Sequence, residues 1–498
     1  MSSNKEIQHL MSNYNFTCFI VPSLFSKDEC KNLLTPKIKA AFEKAISNYP
    51  TYYRNNDRLQ IDDQLLANTL FDKVKNHLPN IIETKAKIKS ENGKWQLSNL
   101  NERLRYCKYS TNQYFHRHLD GIHYRSADEQ SKLTFMIYLN GANDFDGGRT
   151  LFYETKTSKE ILAAYIPQQG DLIVFDHNVW HEGEILTKGE KFVLRSDILY
   201  KRLVPISEKL LPFEGHLGYI WKILKFDANT VISGGRDRGI KIWNKDGILM
   251  QSLSGHKNSI ISIEKISNDC FISASRDRAI KMWTRNIANE FLLKRTFYLH
   301  DAIVLSLSKL EGNLFASSSG DNKIKIASID GVVINTLSEH ENWVWQIVSL
   351  KKGFLASCSE DCTIKIWNYT KSKSLFTFTH KFGLSSMLFI EDKNMLICGD
   401  FNGEILIKNL ANDFSEMSTK TIKAHNGIIR TLVQLNTTMI ASGGEDNKIV
   451  IWNIETGKSN GEYFHDNFVQ SITVVEENKI LSASYDGTIK QINVNTSN

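Results

Sequence analysis

Two periodicities divide this chain. Residues 26–47 (SKDECKNLLTPKIKAAFEKAIS) open on Ser26 as an N-cap and space their apolar residues as a helix does, and residues 61–78 read as a second amphipathic helix. From about residue 103 the period becomes two. RLRYCKY (103–109), LTFMIYLN (133–140), RTLFYE (149–154), DLIVFD (171–176) and KFVLRSDILY (191–200) read as strands. Helices followed by mainly antiparallel strands predict an α+β unit. Beyond it the alternation recurs at regular intervals, in GIKIW, AIKMW, KIKIA, TIKIW, EILIK, KIVIW and TIKQI.

Each recurrence has the same polar companions. A histidine stands at 216, 256, 300, 340, 380, 425 and 465. An aspartate follows at 237, 277, 321, 361, 446 and 486, with Asn402 standing in on the fifth repeat. Four residues before that position lies Ser233, Ser273, Ser317, Ser357, Cys398, Ser442 or Ser482. Four of the alternating strands carry a tryptophan, at 243, 283, 367 and 452; the others have Ala327, Lys408 and Ile492 there. Buried polar groups must be paired, so such a set persists or is lost together. The series resembles the WD-repeat family, whose period is about 40–45 residues. That resemblance implies an all-β seven-bladed propeller over residues 204–498. Residues 207–213 are expected to complete the last blade as its outer strand, since closure removes exposed sheet edges.

Composition narrows the function classes. At 498 residues two or more domains are expected. The net charge of +6 is small for this length, so a duplex nucleic-acid binder is not indicated. The start, MSSNKEIQHLMSNYNF, lacks the layout of a signal peptide, and no apolar run reaches the roughly 20 residues of a membrane span. Seven scattered cysteines point to reduced thiols in a cytoplasmic or nuclear protein.

The chemistry lies upstream of the repeats. In His118-Leu119-Asp120 the imidazole and carboxylate share one strand face, and His181 follows at a strand end. Two histidines and one carboxylate on one face can hold iron and leave three positions open. A five-carbon diacid filling two of them needs a buried cation at its far end. Lys191 is placed to supply it, and Arg195 lies on the same strand face. His116 and His123 are neighbours rather than ligands, since only His118 has a carboxylate two residues on; His181 of the H-E-G unit rather than His177 is what the family resemblance described next implies.

The stretches YSTNQYFHRHLDG (109–121), LTFMIYLN, DGGRTLF (146–152) and HEGEILTKGEKFVLRSDILY (181–200), with YRNNDR (53–58) and LNERLRYCKY (100–109), resemble the prolyl 4-hydroxylase branch of the 2-oxoglutarate oxygenases. The resemblance implies a double-stranded β-helix (jelly-roll) domain over residues 1–203 with its core at about 100–200. It implies His118, Asp120 and His181 as Fe(II) ligands, Lys191 paired with the distal carboxylate of 2-oxoglutarate, Tyr138 hydrogen-bonded to that carboxylate and Tyr109 lining the pocket. O2 is then a cosubstrate and ascorbate an expected reductant. Because Asp120 is retained, hydroxylation is expected rather than halogenation. The expected substrate is a prolyl residue of a protein recruited by the propeller. A small-molecule or free amino-acid oxygenase and a scaffold with an inert oxygenase half are the alternatives. On the propeller, Arg236, Arg276, Phe401 and Tyr485 precede the repeat aspartate position and are expected to grip an acidic or phosphorylated protein segment.

Overall fold

A proline divides the first helical stretch. In the computed structural model, which describes residues 7–13, 16–44, 54–84, 91–126, 128–203, 212–350 and 353–494, Ser26 caps α1 (Lys27–Leu33) with a reciprocal capping box to Glu29. Thr35 then starts a second helix, α2 (Pro36–Ala40). Pro36 has no N–H and its ring disfavours a helical residue before it, so the expected helix over 26–47 becomes two that end at Ala40. Residues 43–44 pair as a short strand, and residues 45–47 lie outside the described ones. The second expected helix is α3 (Gln64–Val74), capped by Asp63. Residues 61–62 belong instead to the strand before it.

The chain separates into two units, residues 1–207 and 208–498. In the first, the strands that position the site are β1 (Cys18–Val21), β2 (Asp57–Asp62), β3 (Arg103–Ser110), β4 (Phe115–His118), β5 (Glu129–Tyr138), β6 (Thr150–Tyr153), β7 (Ala163–Tyr165), β8 (Leu172–Asp176), β9 (Trp180–Gly183) and β10 (Leu186–Arg202). The larger sheet runs β1-β8-β5-β10-β3-β2 through its centre, and the smaller runs β7-β6-β9-β4. Alternation assigns the two faces. Leu104, Tyr106, Phe135, Ile137 and Leu194 pack on α3 through Ala67, Leu70 and Val74. Cys107, Tyr138, Ile173, Phe175 and Val193 turn the other way, toward Phe115 and Phe152 of the smaller sheet.

Seven antiparallel sheets follow among the described residues of the second unit, six of four strands and the last, Val469–Asn493, of three. The innermost strand of the last lies against that of the first: Ile223 N–H donates to Ser471 Oγ at 3.2 Å, and Lys225 N–H to Thr473 Oγ1 at 3.2 Å. Pro212 and Phe213 form a turn, and the Phe213 ring packs between Trp243 of the first sheet and Leu481 and Ile489 of the last. Residues 207–211 of the expected closing strand lie outside the described residues.

Each repeat's polar set is assembled as its residue types require. In the first sheet His216 Nε2 meets Ser233 Oγ at 2.7 Å, its Nδ1 meets Asp237 at 3.0 Å, and Trp243 Nε1 donates to Ser233 Oγ at 2.7 Å. Repeats with Ala327 and Ile492 keep the His–Ser and His–Asp bonds without the indole. The fifth repeat departs from expectation. His380 Nε2 pairs at 2.9 Å with Asp400, two residues before Asn402. Asp400 also accepts the Asn402 and Glu404 amides at 2.9 and 2.7 Å, while the Asn402 side chain turns to Glu404. An amide is a weaker partner for imidazole than a carboxylate, and Cys398 offers a poor acceptor, so the ring pairs with the nearer buried acid instead. His380, Asp400 and Glu404 also lie close enough to share an ion, but His380 Nε2 is already committed to Asp400 at hydrogen-bond length.

That displacement has a measurable consequence. In chemical unfolding of the full chain, Asp400→Ala should destabilise the second unit by about 2–3 kcal/mol, because three donors lose one ionised acceptor. Asn402→Ala should cost less than about 1 kcal/mol; the reverse order would return the role to Asn402.

Candidate active site

β4 and β9 are neighbours in the smaller sheet, and their register sets His118 directly opposite His181. Phe115 stacks on the His118 ring at 3.6 Å and Phe175 meets the His181 ring edge-on at 4.6 Å, so both imidazoles sit in apolar walls. Their tautomers are set by the backbone. His118 Nδ1 lies 2.7 Å from the His116 carbonyl and His181 Nδ1 lies 2.9 Å from that of Val179. A carbonyl only accepts, so each Nδ1 carries the proton and each Nε2 keeps its lone pair. Burial lowers the pKa of both rings, and for His118 the neighbouring His181 adds to it; both are neutral ligands near pH 7.

Asp120 completes the cluster just beyond the end of β4. Its carboxylate lies 3.7 Å from His118 Nε2 and 3.6 Å from His181 Nε2, too far for hydrogen bonds and close enough for all three groups to share one ion. Thr134 Oγ1 donates to Oδ2 at 2.5 Å and Arg195 to Oδ1 at 2.6 Å. Burial alone would raise the pKa of this acid; Arg195, then the histidines, hold it well below the ordinary carboxylate range. Two neutral imidazoles with second nitrogens fixed by carbonyls, and one ionised carboxylate held by hydrogen bonds, are the donor set a divalent iron takes.

The cleft holding these histidines also contains Tyr109, Thr150, Lys191 and Arg195. Lys191 is buried, donates to the Gly148 carbonyl at 2.5 Å, and lies 5.4 Å from the ring centroids of both Tyr109 and Tyr138. Gly148 lets this happen: its φ is +65°, and a Cβ there would meet Leu186 at 2.7 Å. Burial brings the Lys191 pKa down to about 7, opposed by Cys107 and Glu184. The Tyr138 hydroxyl shares a 2.7 Å hydrogen bond with Thr150.

The structure therefore brings His118, Asp120, His181, Lys191, Tyr109 and Tyr138 together and gives Arg195 a different neighbour from the one expected. Its guanidinium is engaged with Asp120, so of the two basic candidates Lys191 is the one placed away from the cluster. The three remaining histidines hold no position in it. His116 contributes its carbonyl, His123 pairs its amide with Ser131, and His177 bonds Thr134 and Ser131. Thr134 and Thr150 were not singled out from the sequence. The alternation of β5 and of β6 was legible, but not which acid or phenol would lie across from each hydroxyl.

In the propeller, three of the four expected contact residues converge. Tyr485 stacks on Tyr219 at 4.4 Å and meets Trp221 edge-on at 5.0 Å. The Arg236 guanidinium lies 5.1 Å over Tyr219 and that of Arg276 lies 5.3 Å over Trp221. Phe401 instead packs on Trp345 at 6.0 Å, beside Arg430.

A cleft between two sheets thus holds a histidine–carboxylate cluster able to take an ion and a buried lysine, and a series of four-stranded sheets follows it in the chain. Two families match parts of the chain: the 2OG-Fe(II) oxygenase superfamily matches residues 104–196, and the WD domain, G-beta repeat, matches residues 207–244, 247–284, 331–368 and 417–453. The four matched repeats are those that bond histidine, serine and tryptophan. The chain is similar to ribosome biogenesis protein YTM1 of Scheffersomyces stipitis, 28% identical over 21% of this chain and 23% of that protein. It is also similar to human apoptotic protease-activating factor 1 (27% identical over 28% of this chain and 14% of that protein) and human WD repeat-containing protein 41 (36% over 16% and 18%). It thus spans less than a quarter of the length of each of these relatives.

Metal titration tests the cluster directly. The full chain should bind one Fe(II) or Mn(II), and Asp120→Ala and His181→Ala should each lose it. Arg195→Met should weaken binding by about 10–100-fold, as loss of a ligand's supporting hydrogen bond does. His116→Ala should leave affinity unchanged; loss of the ion there would move the ligand set.

Proposed function

We propose that this protein is an Fe(II)- and 2-oxoglutarate-dependent dioxygenase that hydroxylates a prolyl residue of a protein recruited by its propeller. The observation that supports it most is the convergence of two lone pairs and an ionised carboxylate in one cleft with a buried ammonium. In this reading the first unit is a jelly roll. His118, Asp120 and His181 hold the iron, and Lys191 takes the distal carboxylate of 2-oxoglutarate, with Tyr138 and Thr150 beside it. The bound iron supplies O2 activation coupled to decarboxylation of 2-oxoglutarate, with ascorbate keeping the metal reduced. The chain's own residues do the rest. Arg195 and Thr134 orient Asp120, the backbone carbonyls hold the imidazole protons away from the metal, and Phe115 and Phe175 keep water from the rings.

The second unit is read as a seven-bladed ring closed by residues 207–213. Arg236 and Arg276, each over an aromatic ring beside Tyr485, suit an acidic or phosphorylated segment of a partner protein. Phe401 would contact it separately, against Trp345. All seven cysteines are free, which fits a cytoplasmic or nuclear setting.

The test is an assay of the full chain with Fe(II), ascorbate and 2-oxoglutarate. Succinate should form in an O2-dependent way, and a +16 Da change should appear on a proline of a co-purified protein. Neither should occur with Asp120→Ala. Succinate without any modified proline would overturn the prolyl assignment and keep the dioxygenase.

Lys191 gives the pH dependence its sign. With its pKa brought down to about 7, the ammonium is lost as pH rises through that value. The KM for 2-oxoglutarate should be flat below about pH 7 and then rise toward about tenfold per pH unit. Lys191→Arg, which stays protonated, should flatten the profile, while Lys191→Ala should weaken binding by about 3–5 kcal/mol below about pH 7, the gap to wild type closing as pH rises. A flat wild-type profile would remove Lys191 from the cosubstrate.

A further inference from the structure

Of the three clustered groups, Asp120 is the one outside a strand, so its carboxylate must be oriented by its neighbours. Arg195 holds Oδ1 and Thr134 holds Oδ2. A carboxylate anchored at one oxygen can still turn about its Cβ–Cγ bond, and anchoring the second oxygen stops it. The Thr134 hydroxyl therefore sets how the acid faces the two imidazoles. Its oxygen is fixed, because Thr134 is fully buried, β-branched and paired with Phe175 of β8 and Asp197 of β10. Its proton is free to rotate until something else occupies the oxygen.

His177 occupies it. This histidine follows β8, is 1% exposed, and its Nδ1 lies 3.1 Å from Thr134 Oγ1. An ionised carboxylate only accepts, so Thr134 must donate to Asp120 and accept from His177. Nδ1 therefore carries hydrogen whatever the charge on the ring. Nε2 meets Ser131 Oγ at 2.9 Å, and that oxygen also accepts the His123 N–H at 2.8 Å. β5 makes room for both bonds. It carries one extra residue, Lys132, between the pairs Leu133–Ile198 and Ser131–Leu199, which shifts the alternation by one and turns Ser131 to the side of Thr134. With both ring nitrogens engaged, His177 offers no lone pair to a metal. Its main-chain carbonyl accepts the Asp120 N–H at 3.2 Å, so the same residue meets Asp120 twice, once through backbone and once through Thr134.

Resting on the reading of His118, Asp120 and His181 as iron ligands, we propose that His177 is a positioning residue for the metal. Through Thr134 it fixes the orientation of the Asp120 carboxylate, and Nδ1 is the atom that does so. The chain runs in one direction, from Nδ1–H to the threonine oxygen and from the threonine proton to Oδ2, and bonds in such a chain strengthen one another. Ser131 holds the far side of the ring so that Nδ1 stays aimed at Thr134.

The experiment is Mn(II) binding to the full chain, with free Mn(II) counted by its electron paramagnetic resonance signal. The amide nitrogen of asparagine falls where Nδ1 lies, and that of glutamine where Nε2 lies. His177→Gln should therefore weaken Mn(II) binding by about tenfold or more, and His177→Asn by no more than about threefold. Thr134→Val should cost at least as much as His177→Gln, and the double variant no more than Thr134→Val alone, because both act on one bond. A histidine that only filled space would tolerate the smaller Asn less well than Gln, and its loss would add to that of Thr134→Val. Wild-type affinity in His177→Gln, weaker binding in His177→Asn than in His177→Gln, or additive losses would overturn the proposal. If His177→Gln has no folding transition on heating, Thr134→Val carries the test, and wild-type affinity there removes the path from His177 to Asp120. A wild-type chain that binds no Mn(II) would sink the iron reading itself. Binding indifferent to these variants would sink only the role of His177.

Discussion

The ionised carboxylate of Asp120 is the group on which the first unit depends. A buried carboxylate is unstable alone, and here it is answered by the Arg195 guanidinium and the Thr134 hydroxyl, with the two imidazole Nε2 atoms facing it at 3.6–3.7 Å. Arg195 and Thr134 come from β10 and β5 of the larger sheet, and the histidines from β4 and β9 of the smaller. The two sheets therefore have to be held face to face before the acid is satisfied. Phe152 and Phe175, both fully buried between them, each contribute on the order of 2–3 kcal/mol to that closure. The metal-binding geometry is thus a product of the same packing that makes the core.

A related constraint runs through the second unit, repeated rather than unique. Six of the sheets bury an imidazole and the fifth half-buries His380, and each imidazole pairs with an acid. The fifth sheet shows that the demand is for a carboxylate within reach rather than for a fixed position, since Asp400 serves where Asn402 stands. The residue after that position has positive φ in every sheet: Arg238, Arg278, Asn322, Cys362, Gly403, Asn447 and Gly487, between 66° and 83°. Glycine and asparagine adopt this conformation readily. Arginine does not, and in the first two sheets it occupies this position at some cost in backbone strain.

Positive charge recurs in both units for different physical reasons. On the propeller the guanidiniums rest on aromatic faces and remain half-exposed, which suits reversible contact with a partner. In the cleft they are packed among β-strand neighbours and reinforce one another: Arg58 and Arg195 both depress the Arg105 pKa, though burial does most of it.

Local pattern carried most of the strands and the spacing of the repeats, because alternation and fixed spacing are properties of neighbouring residues, and together with the family resemblance it singled out His118, Asp120 and His181, which the fold brings within reach of one ion. It also placed Lys191 and Arg195 on one face. It could not say which of them would meet Asp120, since that depends on the register of β10 against β5 and on the approach of two separate sheets. The split of the first helix at Pro36 was a local signal outweighed by apolar spacing on either side. The exchange of Asn402 for Asp400 was not local at all. Both residues follow His380 at permissible distances, and only the course of the turn between the second and third strands of that sheet decides which side chain reaches the ring. The gathering of arginines around Cys107 is likewise a fact of tertiary structure. Arg54, Arg58, Arg105 and Arg195 are up to 141 positions apart in the chain, and sheet pairing makes them one electrostatic site because Coulomb interaction depends on distance in space.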